Sequence, residues 1–384
     1  MKVAVLGYGT VGAGVYSMLS DAPGMEAGPV LVRPGKPVKS FMVSDAALIF
    51  GDPTVDAVVE TLGGLDPAYS YGMRALEAGK HFITANKAMV AAHGLELAAL
   101  AREKGAAFLF SAACGGGVPF LHNLALSAET DRIEAVSGIL NGTTNYMLDA
   151  MQRRGLSYGN ALREAQSLGY AESDPTADVS GLDALRKMQL ACAVAFGVLP
   201  QSGMLCEGME HFTAEDVEDI QSRGLVCRLL ARGSRAGESI SAYVEPVLFP
   251  RAAPESSVFT NNNMARYTGK RCGSIVLMGQ GAGRFPTASA VLRDLSAAQQ
   301  GARSMFPENC RAAEADNREA VHSYYIRTGG FAAVRLSLRS VLAQGEVVRA
   351  VTEPMSAEKM HALAQNIRKD GNDLFFAALE EELC

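Results

Sequence analysis

The chain opens on short apolar runs that alternate with longer amphipathic stretches. Val3–Leu6 is apolar and stops at Gly7, and apolar positions then recur at helical spacing over Val11–Leu19. The arrangement repeats. Pro29–Arg33, Val55–Leu62, His81–Thr84 and Phe108–Phe110 read as strands, and Pro67–Ala78 and Gly94–Lys104 as helices. Strands alternating with helices predict a parallel sheet with helices on both faces, whose ligands bind beyond the carboxyl ends of the strands. The small and polar clusters fall at those ends: Gly63-Gly64, Ala85-Asn86-Lys87, and Ser111 to Gly117.

From about Phe120 the texture changes. Helical patterns at Tyr158–Leu168 and Leu182–Phe196 join strand-like runs at Ile133–Ile139 and Ser239–Phe249, which predicts an α+β domain. Met278-Gly279-Gln280-Gly281-Ala282-Gly283 leads into a helix with Pro286 near its start. After about Gln300 a polar stretch reads as a linker, and the last sixty or so residues read as a small α+β module. The expected division is therefore α/β: a Rossmann-type nucleotide-binding domain over 1–119, with 283–300 returning to it; a catalytic and dimerisation domain over 120–282; and a linker with a small module over 301–384.

Composition narrows the partners. Of the 384 residues, 48% are hydrophobic and 20% charged, enough to bury a core, and the net charge of -6 with no basic tract argues against a nucleic-acid partner. No uninterrupted apolar run reaches the roughly 18–20 residues of a membrane span, and the chain enters its first strand without a leader pattern. Seven cysteines without C-x-x-C spacing read as reduced thiols of a cytoplasmic protein.

The first turn carries chemistry. Gly7-Tyr8-Gly9-Thr10-Val11-Gly12 is a G-x-G-x-x-G pattern between a strand and a helix. Its glycines allow a tight turn and close approach to a pyrophosphate, which the N–H groups of the helix start would hold. The second strand ends in Val32-Arg33-Pro34-Gly35-Lys36, without the carboxylate that would accept from the ribose 2′-OH of NAD. Arg33 and Lys36 suit a 2′-phosphate instead, so NADP is expected over NAD; the plain alternative is a pair of exposed loop cations. Lys87, just past a strand, reads either as a solvated loop lysine or as a desolvated proton carrier at the crevice. The densest acidic cluster is Glu172 to Asp183. Asp183 and Lys187 share one face of a helix whose continuation, Met188–Phe196, is almost wholly apolar. A buried Asp–Lys pair there marks a functional site more readily than a surface pair does. Glu172 and Asp178, in the preceding loop, suit a substrate ammonium group, although either also reads as an ordinary loop acid. Asn141-Gly142-Thr143-Thr144-Asn145 reads as a turn with Thr144 or Asn145 capping the next helix, or as ligand-facing polar groups.

These segments resemble the homoserine dehydrogenase family, which interconverts L-aspartate 4-semialdehyde and L-homoserine in threonine, methionine and isoleucine biosynthesis. The matches run in order over about residues 1–300: Gly7–Gly14, Glu60–Gly64, Ala85–Lys87, Gly115–Pro119, Asn141–Tyr146, Gly169–Lys187 and Gly279–Asp294. The resemblance implies that Asp183 and Lys187 are the catalytic pair and Lys87 a second active-site lysine. It places Thr143, Tyr170, Glu172 and Asp178 on substrate-binding positions. The cofactor is expected on Gly7, Gly9, Thr10, Val11, Gly12, Arg33, Gly63 and Lys87, and the resemblance puts Gly281 near the nicotinamide. It also implies a monovalent cation on backbone carbonyls at Ser111, Cys114 and Gly116, although Ser111 stands where the family usually has Glu. A homodimer or homotetramer is expected. Ser323-Tyr324-Tyr325-Ile326-Arg327 looks like the start of an ACT-type module. Thr328 to Ala332 lacks that module's usual loop and the pattern reads one strand short, so the module is expected to be degenerate and threonine to inhibit weakly or not at all. Two rivals are kept: a non-catalytic NAD(P)-binding regulatory paralogue, and a phosphorylating semialdehyde oxidoreductase using Cys114, which would need a His base that no recognisable motif supplies.

Overall fold

A computed structural model describes residues 1–36, 39–329 and 336–380. They group into two compact units: Met1–Ile133 with Gln189–Leu199 and Tyr267–Ala312, and Glu134–Met188 with Pro200–Arg266 and the chain from Ala313 onward.

The first unit is built on a six-stranded parallel sheet. Its strands are β1 (Lys2–Leu6), β2 (Glu26–Leu31), β3 (Met42–Val43), β4 (Ala57–Glu60), β5 (His81–Thr84) and β6 (Phe108–Leu109), in the order β3-β2-β1-β4-β5-β6. That is the doubly wound order of dinucleotide-binding sheets, and the strand order reverses between β1 and β4. Val3, Val5, Val58 and Phe82 are fully buried, as strands covered on both faces require. Two boundaries differ from the sequence expectation. β2 starts at Glu26, opposite Lys2, and ends at Leu31, which leaves Arg33 two residues past the strand. The fourth helix, Lys87–Lys104, starts seven residues earlier than its apolar pattern, because Asn86 caps it by accepting from the Met89 N–H at 3.1 Å. Lys87 is thus the first residue of a helix rather than a loop residue.

The second unit holds a mixed sheet in the order Asn262–Gly269, Ile133–Ile139, Leu225–Ala236, Ser239–Pro250, Leu374–Leu379, Tyr324–Gly329, Val347–Thr352, Leu338–Ala343. Leu225–Ala236 pairs with Ser239–Pro250 along its whole length; its interleaved Arg228, Arg232 and Ser234 hid it from the apolar pattern. The last four strands correct the expectation that the terminal module lacks one. Leu338–Ala343 is a strand, mostly exposed and therefore without an apolar alternation to reveal it. Gly330 to Ala332, part of the loop expected to be degenerate, lie outside the described residues.

The division expected from composition, with boundaries at 119/120 and 300/301, differs from this grouping. The stretch Tyr267–Ala312 belongs to the first unit, and the chain from Ala313 onward is grouped with the second. Leu374–Leu379 pairs in parallel with Ser239–Pro250, and Ile139, Val247 and Phe249 share one core with Ile326, Val348 and Phe376. Arg327 locks this junction, its guanidinium bonding Asp216 at 2.7 Å, Asp373 at 2.6 Å and the His211 carbonyl at 2.8 Å.

Candidate active site

At the end of β1 the backbone turns through Gly7, whose φ of +98° favours glycine. A Cβ on Gly12 would overlap the Gly7 carbonyl, so this crossing also requires glycine. The helix Thr10–Leu19 starts at Gly9 with no side-chain cap and no acidic residue in its first turn. Its N-terminal N–H groups therefore suit an anion. At the end of β4, buried Glu60 accepts from the Leu62 and Gly63 N–H groups and from the Thr84 hydroxyl at 2.6 Å. This shapes the Gly63-Gly64 turn next to the reversal point. Asn86 Nδ2 donates to the Gly64 carbonyl at 2.6 Å, tying the turn to the start of the Lys87 helix. The Gly116 and Gly281 backbones touch, and a Cβ on Gly116 would overlap the Gly281 carbonyl. Arg33 is exposed, and Thr10 and Val11 occupy the first turn of the helix. These residues fit a dinucleotide.

The segment expected to hold a cation is braced by hydrogen bonds of its own backbone and by Arg293. The Ser111 carbonyl accepts from the Cys114 N–H, the Gly115 carbonyl from Val118, and the Gly117 carbonyl from the Arg293 guanidinium at 3.3 Å. The Ser111 N–H donates at 2.8 Å to Asp294, whose other carboxylate oxygen is buried without a partner. Burial pushes the Asp294 carboxyl up to about 7. The monovalent cation expected on the Ser111, Cys114 and Gly116 carbonyls enters no step below.

In the second unit one side chain gathers the acid–base groups. Asn141 caps the helix Gly142–Arg154, its Oδ1 accepting from the Thr144 N–H at 2.8 Å. Its Nδ2 donates to Asp178 at 2.7 Å and to Asp183 at 2.8 Å. Lys187 Nζ donates to Asp183 at 2.7 Å and to the Leu140 carbonyl at 2.6 Å. The Lys187 and Asp183 side chains are only 12% and 11% exposed, so this pair is not a solvated surface bridge. The apolar continuation of the helix is buried, as its pattern predicts. Burial raises the Asp178 carboxyl above its ordinary range; the neighbouring Asp183 charge adds to this, and Asn141, Thr143 and Lys187 oppose it. The Thr143 hydroxyl donates to the Tyr170 carbonyl at 2.6 Å, and the Tyr170 ring packs edge-on against Tyr146 at 5.1 Å. Thr143, Tyr170, Asp178, Asp183 and Lys187 thus form one network. Glu172 lies exposed on the adjacent loop, held through its carbonyl by Gln166.

Residues 119–296 match the family model for homoserine dehydrogenase, and residues 7–111 that for the homoserine dehydrogenase NAD-binding domain. The chain belongs to the homoserine dehydrogenase family. It is similar to the homoserine dehydrogenases of Synechocystis (39% identical over 77% of this chain and 72% of that one) and Corynebacterium glutamicum (38%, over 76% and 70%). Among solved structures it resembles a homoserine dehydrogenase from Thiobacillus denitrificans, with a TM-score of 0.86 and 30% identity over 99% of this chain and 98% of that one. It is an NAD(P)-dependent oxidoreductase that interconverts L-aspartate 4-semialdehyde and L-homoserine.

Sequence reasoning missed two organising residues. Asn141, not Thr144 or Asn145, is the cap, and its amide donates to both carboxylates; an Asn just before a helical pattern was the available signal. Asn145 instead turns inward, its amide reaching the Val258 and Thr260 carbonyls at 3.0 and 2.9 Å. Glu60 opens one of the matching segments, but taken by itself it reads only as the polar end of a strand.

Proposed function

We propose that the second unit's network holds the substrate and moves its proton, and that NADP is the preferred cofactor. The observation behind this reading is the Lys187 ammonium, fixed between Asp183 and the Leu140 carbonyl in a largely desolvated setting. Bound nicotinamide supplies a hydride to the aldehyde carbon, or accepts one from the alcohol, without a covalent intermediate. Lys187 holds the proton that passes to the developing alkoxide, and in the reverse direction it receives the alcohol proton. Asp183 orients the ammonium and tunes its proton affinity. Asp178 and Glu172 engage the substrate ammonium, while Thr143 and Tyr170 shape the loop around it. Lys87 is the second active-site lysine. It follows Asn86, which is tied to the Gly64 turn of the nucleotide unit.

Gly7, Gly9, Thr10, Val11, Gly12, Gly63 and Gly281 hold the dinucleotide, and Arg33 meets its 2′-phosphate. The protein works in the cytoplasm as a homodimer or homotetramer. The described residues from Ala313 onward form a degenerate ACT-like module whose strands continue the catalytic sheet. Initial rates of homoserine oxidation with NADP and with NAD test the cofactor reading. A higher kcat/KM with NADP, lost in Arg33→Ala, supports it; a higher value with NAD overturns it.

A further inference from the structure

The glycine turn of the nucleotide unit carries an aromatic group that the turn itself does not require. Tyr8 lies between Gly7 and Gly9, and its ring centroid is 5.7 Å from that of Phe41 and 6.1 Å from that of Tyr16. Phe41 and Tyr16 stack at 4.3 Å with planes 20° apart. Three segments thereby form one shelf: the turn, the first helix and the connection leading into β3. Lys39 Nζ stands over two of the rings, 5.7 Å from the Tyr8 centroid and 5.8 Å from that of Phe41. Both distances are within cation–π range.

This ammonium is aimed but not neutralised. Lys39 is exposed, and among the described residues no carboxylate forms an ion pair with Lys39, Arg33 or Lys36. Its place is informative. The Val30 N–H donates to the Phe41 carbonyl at 2.9 Å, so the shelf runs beside the end of β2, where Arg33 follows. In a doubly wound sheet the adenosine ribose of a dinucleotide lies between the glycine turn and the end of the second strand. The Lys39 ammonium stands over Tyr8 of that turn and over Phe41, whose backbone pairs with β2.

We propose that Lys39, oriented by the Tyr8–Phe41 shelf, is a second reader of the 2′-phosphate of NADP(H) beside Arg33. This rests on the NADP preference proposed above. The two cations are not redundant in kind. Arg33 offers a planar fork for two phosphate oxygens, whereas Lys39 offers a compact charge whose stem the rings hold in place. NADH carries no group for either, so Lys39 acts on cofactor choice and not on hydride transfer.

The test is Lys39→Met, which keeps an apolar stem over the rings, measured by equilibrium titration with NADPH and NADH and by competition with 2′-AMP and 5′-AMP. The dissociation constant for NADPH should rise about tenfold, the low end for losing a charge-assisted contact. That for NADH should stay within about twofold, and only 2′-AMP should lose potency alongside NADPH. Lys39→Arg should restore most of the affinity. Equal weakening of both cofactors would make Lys39 a brace for the adenosine and overturn the proposal. An unchanged NADPH constant in a wild type that strongly prefers NADPH would overturn it while leaving the cofactor reading intact. A wild type that binds both cofactors equally would remove both.

Discussion

Replacing Asn141 tests whether one amide organises the active site. In Asn141→Ala four contacts go: the 2.8 Å cap to the Thr144 N–H, the 3.0 Å bond from the Thr144 hydroxyl, and the 2.7 and 2.8 Å bonds to Asp178 and Asp183. Loss of a cap costs about 0.5–2 kcal/mol. Removing a donor from a carboxylate costs about 1.5–3 kcal/mol when the acceptor is well buried. Asp183 is 8% exposed but keeps Lys187, and Asp178 is only half-buried, so both bonds belong at the low end. Simple addition gives a total of about 3.5–5 kcal/mol as an upper bound. Asn141→Asp separates the two roles. Aspartate caps as well as asparagine, yet it sets a third carboxylate against Asp178 and Asp183. Asn141→Asp should therefore keep more of the stability than Asn141→Ala while losing at least as much activity.

The pH dependence has a defined sign. The Asp178 carboxyl already lies above its ordinary range, chiefly through burial, and Asn141 is the first group opposing that rise. Without it the carboxyl titrates higher still. Since the ionised form engages the substrate ammonium, the acid limb of kcat/KM for homoserine should move toward neutrality in Asn141→Ala. Denaturant midpoints and pH–rate profiles for both variants read these effects, with kcat expected to fall about 10–100-fold as the Asp183–Lys187 pair loses its positioning. An Asn141→Ala enzyme within about threefold of wild-type kcat, with an unmoved acid limb, would refute the bridging role and leave Asn141 a simple cap.

Lys187→Met should lose at least about a hundredfold in kcat while binding cofactor normally; near-wild-type turnover would shift the proton role to Lys87. Glu172→Gln should raise the KM for homoserine by up to about tenfold, since the side chain is exposed, and leave the cofactor KM unchanged; the reverse pattern would remove Glu172 from the substrate site. Asp294 has a carboxyl raised to about 7 from an ordinary 3.8, so its ionisation opposes folding increasingly as pH rises between those values. Relative to wild type, Asp294→Asn should therefore gain about 2–3 kcal/mol of stability between pH 5 and pH 8; parallel pH–stability curves would show that the carboxyl ionises freely in the fold. Truncation after Gln300 should yield insoluble or unfolded protein by circular dichroism, because it removes Leu374–Leu379 from the sheet and uncovers Val247 and Phe249; a soluble, active product would show that the tail is dispensable.

The sequence by itself determined the parts whose information is local. The apolar run before Gly7, the glycine spacing and the strand–helix alternation specify a doubly wound sheet, because strand burial, tight turns and helix starts depend on neighbours a few residues apart. The spacing of Asp183 and Lys187 on one helix face, ahead of an apolar continuation, likewise implied a desolvated pair. Elements with weak local signals needed the folded chain. Leu338–Ala343 is an exposed strand whose pairing with Val347–Thr352, not its composition, makes it one. The fusion of the tail to the catalytic sheet was invisible, because Val247 and Ala378 become partners although they lie 131 positions apart in sequence. The tertiary structure alone decided that Asn141 joins Asp178, Asp183 and a helix cap. An amide can satisfy many sets of partners, and which set it meets depends on where the sheet and three helices bring them. The same holds for Lys39, an unremarkable loop cation until Tyr8 and Phe41 are placed beneath it.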